Sequence, residues 1–597
     1  MMLPYQVAAE SLRNNIDQWA AYQSNSHCVL LAGPGSGKTK TLTIKMARML
    51  NEDISPPRGI ACITYSRECA RELVNRLSIL GVSERSSTFV GTVHSFCLNN
   101  VLIPYGEIAG LRVPFPLKLA TERIQSQVFN EVSQKYIERG YRRSDLKKSV
   151  DLLRNTNIDR GSTEWDSSNN DVAELALTYE AGLRALGCID YTDQVILGLE
   201  LIERYEWIRR LLKARFPILI VDEYQDLGAP LDRLVRRLCF ETGIRLFAVG
   251  DPDQSIYSFM GADPSLLESL ASHPGVESIR LRTNYRSGKS IVNASKLVLG
   301  QEREFWVPDG TPAGDIEIHH LENGLVHQAQ HISQVLIPNA IQAGTSPEKM
   351  AILYPTGNEG EVISTALDEA GYQYLRIDKN APYERTPFIR WLEDCAAWCS
   401  EGWKVGEPSL ANLVRTWAKF NSIEPLGSVR SSVEQELLGF LWRSRLPEQR
   451  LETWLTQIEA FCLNNFFLVH EELEDEKLAF DKLKRAASRT GKLGHFTVRL
   501  FSCQRGAPNH LNLSTLHSSK GLEFDMVIMF GMDQGRIPWA QCDNATRNEQ
   551  RRLFYVGTTR AKRYLHYTYS GWIVGWDGER RNLGPSEFLN EISRMLG

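Results

Sequence analysis

The run Ala32-Gly33-Pro34-Gly35-Ser36-Gly37-Lys38-Thr39 follows the apolar stretch Cys28-Val29-Leu30-Leu31 and precedes a helical pattern of Leu42, Met46 and Leu50. A strand that breaks into a glycine-rich turn ending in Gly-Lys-Thr surrounds phosphate oxygens with backbone N–H groups, at a helix N-terminus that favours negative charge. The chemistry this implies is the holding of a nucleoside triphosphate. Gly33, Gly35 and Gly37, with Ser36 between them, keep bulk away where backbone must touch the ligand. Lys38 is placed to reach the β- and γ-phosphates and Thr39 to ligate Mg²⁺, and Lys40 belongs to the same binding segment.

A second chemical element is Pro217-Ile218-Leu219-Ile220-Val221-Asp222-Glu223-Tyr224-Gln225-Asp226. Four consecutive β-favouring apolar residues predict a strand buried on both faces of a parallel sheet, with two carboxylates at its C-terminal end, where α/β folds place ligands. Asp222 is suited to hold Mg²⁺, and Glu223 to orient or deprotonate an attacking water.

These elements sit in a chain of 597 residues, beyond the size at which one core keeps growing, so about three to five domains are expected. Hydrophobic residues at 43% and charged residues at 23% are ordinary for a soluble protein. No window approaches the ~18 uncharged apolar residues of a membrane span. Met1-Met2-Leu3-Pro4-Tyr5-Gln6 does not read as a signal peptide, so the expected location is cytoplasmic, with no membrane partner. The 11 cysteines include no C-x-x-C pair. Cys395 and Cys399 would share a helix face but lack a second pair, so buried thiols are expected rather than a metal site. A net charge of −4 means that any nucleic acid must be held by a local basic surface.

Asp-Glu-Tyr-Gln-Asp resembles the second motif of superfamily 1 helicases of the UvrD, Rep and PcrA type, and the resemblance continues in order along almost the whole chain. It implies ATP and Mg²⁺ as cofactors, and single-stranded DNA and duplex junctions as partners. Gln6 stands as the adenine-reading glutamine. Ile63-Thr64-Tyr65-Ser66 resembles the motif whose aromatic contacts single-stranded DNA, and Val90-Gly91-Thr92-Val93-His94-Ser95-Phe96 a further DNA contact through Thr92 and His94. Val249-Gly250-Asp251-Pro252-Asp253-Gln254-Ser255-Ile256-Tyr257 resembles the motif whose glutamine, Gln254, senses the γ-phosphate. In Asn284-Tyr285-Arg286-Ser287, the resemblance has Tyr285 stacking on adenine and Arg286 meeting the γ-phosphate. Thr515-Leu516-His517-Ser518-Ser519-Lys520-Gly521-Leu522-Glu523-Phe524 places His517 with DNA and Glu523 with nucleotide. Arg551-Arg552-Leu553-Phe554-Tyr555-Val556-Gly557-Thr558-Thr559-Arg560-Ala561-Lys562 carries Arg560, a catalytic residue by the same resemblance.

Arg286 and Arg560 are hundreds of residues from the phosphate loop. If both reach the γ-phosphate, they are expected to come from a second core domain that closes on ATP and opens after hydrolysis. Stacking on the track is assigned to Tyr65, Tyr257 and Phe259. The chain departs from the family where DNA is gripped: the usual tryptophan–arginine pair reads Phe259-Met260, and the usual Asn-Lys after the aromatic reads Arg67-Glu68. Met260 removes a cation and Glu68 reverses one.

Motif spacing implies an α/β fold of two RecA-like parallel-sheet core domains, each with an inserted, mainly helical subdomain. The expected boundaries are 1–97 with 206–283 for the first core, 98–205 for its insertion, 284–384 with 509–597 for the second core, and 385–508 for the second insertion. In the first insertion, Ile189-Asp190-Tyr191-Thr192-Asp193 resembles an acidic-aromatic signature of the family. In the second, the acidic run Glu471 to Glu476 and the cations Lys482, Lys484, Arg485, Arg489 and Lys492 read as a solvated helix face before a duplex contact. About 35 residues follow Lys562, so any nuclease is expected to be a separate chain. The expected function is an ATP-dependent single-stranded DNA translocase and 3'-to-5' helicase. The alternative is a DNA-stimulated motor or nucleotide-sensing subunit of a nuclease-containing complex, for example in antiphage defence, with weak unwinding alone.

Overall fold

The computed structural model describes residues 2–64, 66–82, 87–160, 165, 170–300, 304–378, 381–406, 408–421, 428–463, 466–469, 473–503, 507–575 and 577–596. The chain divides into two compact units, one of Met1–Asp315, Cys542–Thr559 and Arg594–Gly597, the other of Ile316–Gln541 and Arg560–Ser593. Among the described residues, no helix is long and apolar enough to cross a membrane.

The first unit is built on six parallel strands: β1 (His27–Ala32), β2 (Ile60–Thr64), β3 (Phe89–Thr92), β4 (Ile218–Val221), β5 (Arg245–Gly250) and β6 (Val276–Leu281), in the order β3-β2-β4-β5-β1-β6. Strands β1, β2, β4 and β5 are apolar almost throughout because both faces of the sheet are covered. Side chains alternate between two cores: Val29, Leu31, Leu219 and Val221 enter one, Cys28, Leu30, Ile218 and Ile220 the other. Parallel pairing has a direct consequence for chemistry. The segments that follow all six strands, and with them the motifs at the ends of these strands, emerge at the same edge.

Helices Glu122–Ile137, Arg143–Thr156 and Asn170–Ala185 form the insertion of this unit around Phe129, Tyr136, Leu146, Val150 and Tyr179. Arg154 is 1% exposed and pairs with Glu180 at 2.8 Å, Asp190 at 2.6 Å and Asp193 at 3.0 Å. Burial pushes the Asp190 carboxyl up, but Arg154 outweighs it and holds it below its ordinary value. The acidic-aromatic signature is therefore an anchor: Asp190 and Asp193 cap helix Tyr191–Arg204 reciprocally while they neutralise Arg154. Arg154→Ala is expected to destabilise the first unit by about 3–5 kcal/mol, because buried carboxylates lose their counter-charge. Urea unfolding followed by circular dichroism measures this.

The second unit carries another six-stranded sheet: β7 (Asp315–His320), β8 (Met350–Tyr354), β9 (Tyr374–Ile377), β10 (Leu511–Thr515), β11 (Phe524–Met529) and β12 (Ala561–Tyr569), in the order β9-β10-β8-β11-β12-β7. Pairing is parallel from β9 through β12. Between β9 and β10 lies a helical insertion with an aromatic core in which Trp391 stacks on Trp417, their centroids 4.9 Å apart. Cys395 and Cys399 are buried there, their thiols pushed up by burial, with that of Cys399 at about 12. The α/β class and the two parallel-strand sheets agree with the sequence reading.

Residues 284–315 and 542–559, expected from motif spacing in the second core, group with the first unit. Helix Asn544–Thr558 explains this grouping. It packs on helix Lys289–Leu299, and Arg551 donates to the Val298 carbonyl at 2.6 Å.

Candidate active site

Beyond β1 the chain turns through Gly35 and Gly37 with φ of 70° and 82°, which side-chain-bearing residues rarely adopt. Gly37 caps helix Lys38–Arg48, leaving the first N–H groups of the helix directed into the loop. Space is as restrictive as conformation. A Cβ at Gly35 would lie 2.6 Å from Arg286 Cβ and 2.7 Å from Asn284 Oδ1, and one at Gly37 would lie 2.5 Å from Gln18 Nε2. The loop is thus an amide-lined cradle with no room for side chains, as a polyphosphate site requires.

Asp222 and Glu223 leave β4 beside this cradle. Asp222 N donates to the Ile63 carbonyl, and Asp222 Oδ1 accepts from Glu223 N at 3.0 Å. Glu223 has φ of 55°, so the chain bends sharply between the two carboxylates. Lys38 Nζ is ion-paired with Glu223 Oε1. Burial pushes Lys38 down, but Glu223, Asp222 and Asp251 outweigh it and the net shift is upward. Burial, then the adjacent Glu223, push Asp222 up to about 7. A buried carboxyl whose charge is this poorly compensated fits a cation ligand.

Gln225 joins the ends of two strands. Its Nε2 donates to Glu223 Oε2, and its Oε1 accepts from Asp251 N at 2.9 Å. A Cβ at Gly250 would lie 2.6 Å from Gln225 Oε1, so the small residue at the end of β5 permits the bridge. Gln254 Nε2 donates to Asp251 Oδ2 at 2.6 Å, which places Gln254 in the same network. Residue order alone gives Gln225 no role.

Asn284 locks the segment after β6 onto the loop. Its Nδ2 donates to the Pro34 carbonyl at 2.9 Å, its Oδ1 accepts from Arg286 N and Ser287 N, and Tyr285 N donates to the Gly35 carbonyl at 2.8 Å. Arg286 Nη1 donates to the Thr559 carbonyl at 3.3 Å. Arg286 therefore belongs to the same unit as the phosphate loop, which corrects the expectation, based on chain separation, that it comes from a second core domain.

Gln6 requires a correction. Its Oε1 accepts from Leu3 N within its own short helix, Pro4–Glu10, and the neighbouring Tyr5 donates to Glu52. Glu52 lies 14 residues beyond Lys38, so this helix is tied to the end of the phosphate-loop helix remote from the loop, roughly 20 Å away. The residue at the loop is Gln18, buried, with Nε2 donating to the Ser36 carbonyl at 2.9 Å. Asn15 caps helix Ile16–Gln23 and donates to the Tyr285 hydroxyl at 2.9 Å, so Asn15, Gln18 and the half-exposed Tyr285 form one group. The Asn-x-x-Gln spacing at a helix start was the available signal.

Thr39 is half-buried and Lys40 exposed on the phosphate-loop helix. In the second unit, Glu523 pairs with Lys562 at 2.7 Å, and Arg560 is buried with Nη1 donating to the Leu522 carbonyl at 3.1 Å. Burial pushes His517 down to about 4.

The candidate DNA residues of the first unit follow its strands. Thr92 caps helix Val93–Cys97, and the His94 ring meets the edge of Tyr191, with centroids 5.9 Å apart. Tyr257 lies 6.2 Å from Phe259, which is 59% exposed beside a 53% exposed Met260. Helix Asn544–Thr558 holds this segment: Glu549 accepts from Ser258 N at 3.2 Å and Arg552 donates to the Ser255 carbonyl at 2.5 Å. Tyr65 and the side chains of Arg67 and Glu68 lie outside the described residues.

The UvrD/REP helicase N-terminal domain family matches residues 14–274, and the UvrD-like helicase C-terminal domain family matches residues 456–571. ATP-dependent DNA helicase Rep of Escherichia coli (strain K12) is 27% identical, with 95% of this chain and 92% of that protein covered. For Rep of Salmonella typhimurium the values are 26%, 95% and 91%, and for ATP-dependent DNA helicase PcrA of Staphylococcus aureus they are 24%, 95% and 84%. With both family domains in order and relatives that span nearly its whole length, the chain belongs to the UvrD/Rep/PcrA-type superfamily 1 helicases, enzymes that hydrolyse ATP.

Proposed function

We propose that this helicase uses ATP to move along single-stranded DNA in the 3'-to-5' direction and separates duplex strands at junctions. The observation that carries the reading is the Lys38–Glu223 ion pair at the mouth of the amide cradle. Lys38 is paired with the carboxylate that would activate water. Lys38 would neutralise phosphate oxygens of ATP, and Glu223, which Gln225 keeps oriented, would accept a proton from the attacking water. Thr39 and Asp222 would hold Mg²⁺, which supplies charge neutralisation on the phosphates. Gln18, Asn15 and Tyr285 would frame the base. Gln254 would sense the γ-phosphate, with Arg286 and, by family resemblance, Arg560 stabilising charge that develops on it.

Strand contact is assigned to Thr92, His94, Tyr257, Phe259 and His517, with Tyr65 by resemblance. Phe259→Ala is expected to weaken single-strand binding by about 1–3 kcal/mol while basal hydrolysis stays near normal, as fluorescence anisotropy and phosphate-release assays would measure. A second reading, a motor subunit that needs a nuclease-bearing partner, is favoured by the exposed Met260 where the family has a cation. Each lost phosphate contact flattens the slope of log affinity against log salt by about 0.7. Hydrolysis measured with and without single-stranded DNA, and unwinding of 3'-tailed against 5'-tailed duplexes, tests the proposal. Unwinding confined to 5' tails overturns the polarity, and robust processive unwinding by the isolated chain removes the second reading.

A further inference from the structure

Outside the nucleotide site, two neighbouring strands of the second unit bring three metal-ligating side chains together. Glu317 and His319 are two residues apart on β7 and so share a face, and His566 stands on β12, its neighbour in the sheet. Three atoms form a nearly equilateral triangle: His319 Nε2 to His566 Nδ1 is 3.2 Å, His319 Nε2 to Glu317 Oε2 is 3.4 Å, and His566 Nδ1 to Glu317 Oε2 is 3.5 Å.

The size of this triangle is informative. In a tetrahedral site with metal–nitrogen and metal–oxygen bonds of about 2.0–2.1 Å, the ligand atoms are about 3.3–3.4 Å apart. A cation placed over the triangle satisfies a lone pair on each atom at once, whereas a proton shared between the two ring nitrogens leaves the carboxylate facing both. The imidazoles are sheltered, with side chains 18% and 14% exposed, while Glu317 is 58% exposed at the rim. A second observation adds to the cluster. The His331 ring centroid lies 5.2 Å from that of His319, and His331 Nε2 is buried without a hydrogen-bond partner among the described residues.

We propose that Glu317, His319 and His566 bind one zinc-class divalent cation, with a fourth position open to water. Two imidazoles and one carboxylate form a borderline donor set that suits Zn²⁺, Co²⁺ and Ni²⁺ better than Mg²⁺ or Ca²⁺. The chain enters the second unit at Ile316 and again at Arg560, and the ligands lie on the two strands that begin there. The cation joins the edge strand β7 to β12 within this sheet.

The test uses the full chain, stripped with a chelator and titrated with Zn²⁺ against a chromophoric competitor. One equivalent is expected to bind with submicromolar affinity and to raise the melting temperature. Co²⁺ in its place is expected to give the visible absorption of a four-coordinate site. Glu317→Gln, at an exposed position, is expected to weaken binding 10–100-fold without altering ATP hydrolysis. His319→Ala and His566→Ala are expected to abolish binding and the melting shift, with circular dichroism reporting whether each variant is folded. Absence of stoichiometric uptake by the wild-type chain, or uptake unchanged in Glu317→Gln and in folded His566→Ala, overturns the proposal.

Discussion

Lys38→Ala protein is expected to lose ATP hydrolysis by about a thousandfold or more, in both the absence and the presence of DNA. Lys38 comes from the phosphate-loop helix and pairs with a site carboxylate. Its removal takes charge from the phosphates and also leaves Asp222 and Glu223 adjacent and less compensated, so anionic nucleotide meets repulsion where it met attraction. Glu223→Gln separates the two effects. It keeps the shape and the contact with Gln225 but removes the proton acceptor, so the variant is expected to bind ATP with near-normal affinity and to turn it over about a hundredfold to a thousandfold more slowly. Steady-state phosphate release and binding of a fluorescent nucleotide distinguish the outcomes. Sustained turnover by Lys38→Ala protein rules out this site.

The second large effect is expected at Arg286. Asn284 fixes its backbone on the phosphate loop, and its guanidinium reaches the Thr559 carbonyl, one residue before Arg560. A positioned arginine that meets developing charge on a transferring phosphoryl group contributes about 10³–10⁵ to turnover. Arg286→Ala is therefore expected to lower kcat by about a thousandfold or more while changing nucleotide Kd by less than about tenfold, the pattern of an interaction strongest in the transition state. A variant that binds ATP poorly but turns it over at the normal rate contradicts that assignment. Asn284→Ala provides a comparison: it leaves the arginine in place but removes the contacts that hold its backbone, so an intermediate loss of kcat is expected.

What could be read directly from the sequence is the chemistry encoded by short-range residue order. Gly35, Gly37 and Lys38 specify their loop locally, because positive φ and the missing Cβ are properties of the residues themselves. Apolar runs at Cys28–Leu31 and Ile218–Val221 mark strands buried on both faces, because continuous β-favouring apolar residues leave no face for water, and motif order carried the family and the α/β class. Tertiary structure decided which side chains meet. Gln18 rather than Gln6 reaches the loop, because helix Pro4–Glu10 is anchored through Tyr5 at the far end of the phosphate-loop helix. Arg286 and helix Asn544–Thr558 join the first unit because Asn284 bonds the loop and Arg551 and Arg552 bond residues 298 and 255. Gln225 and the triad of Glu317, His319 and His566 depend on which strands are neighbours and in what register. That order is set by burial of whole sheet faces over separations of up to hundreds of residues, and local residue order does not encode it.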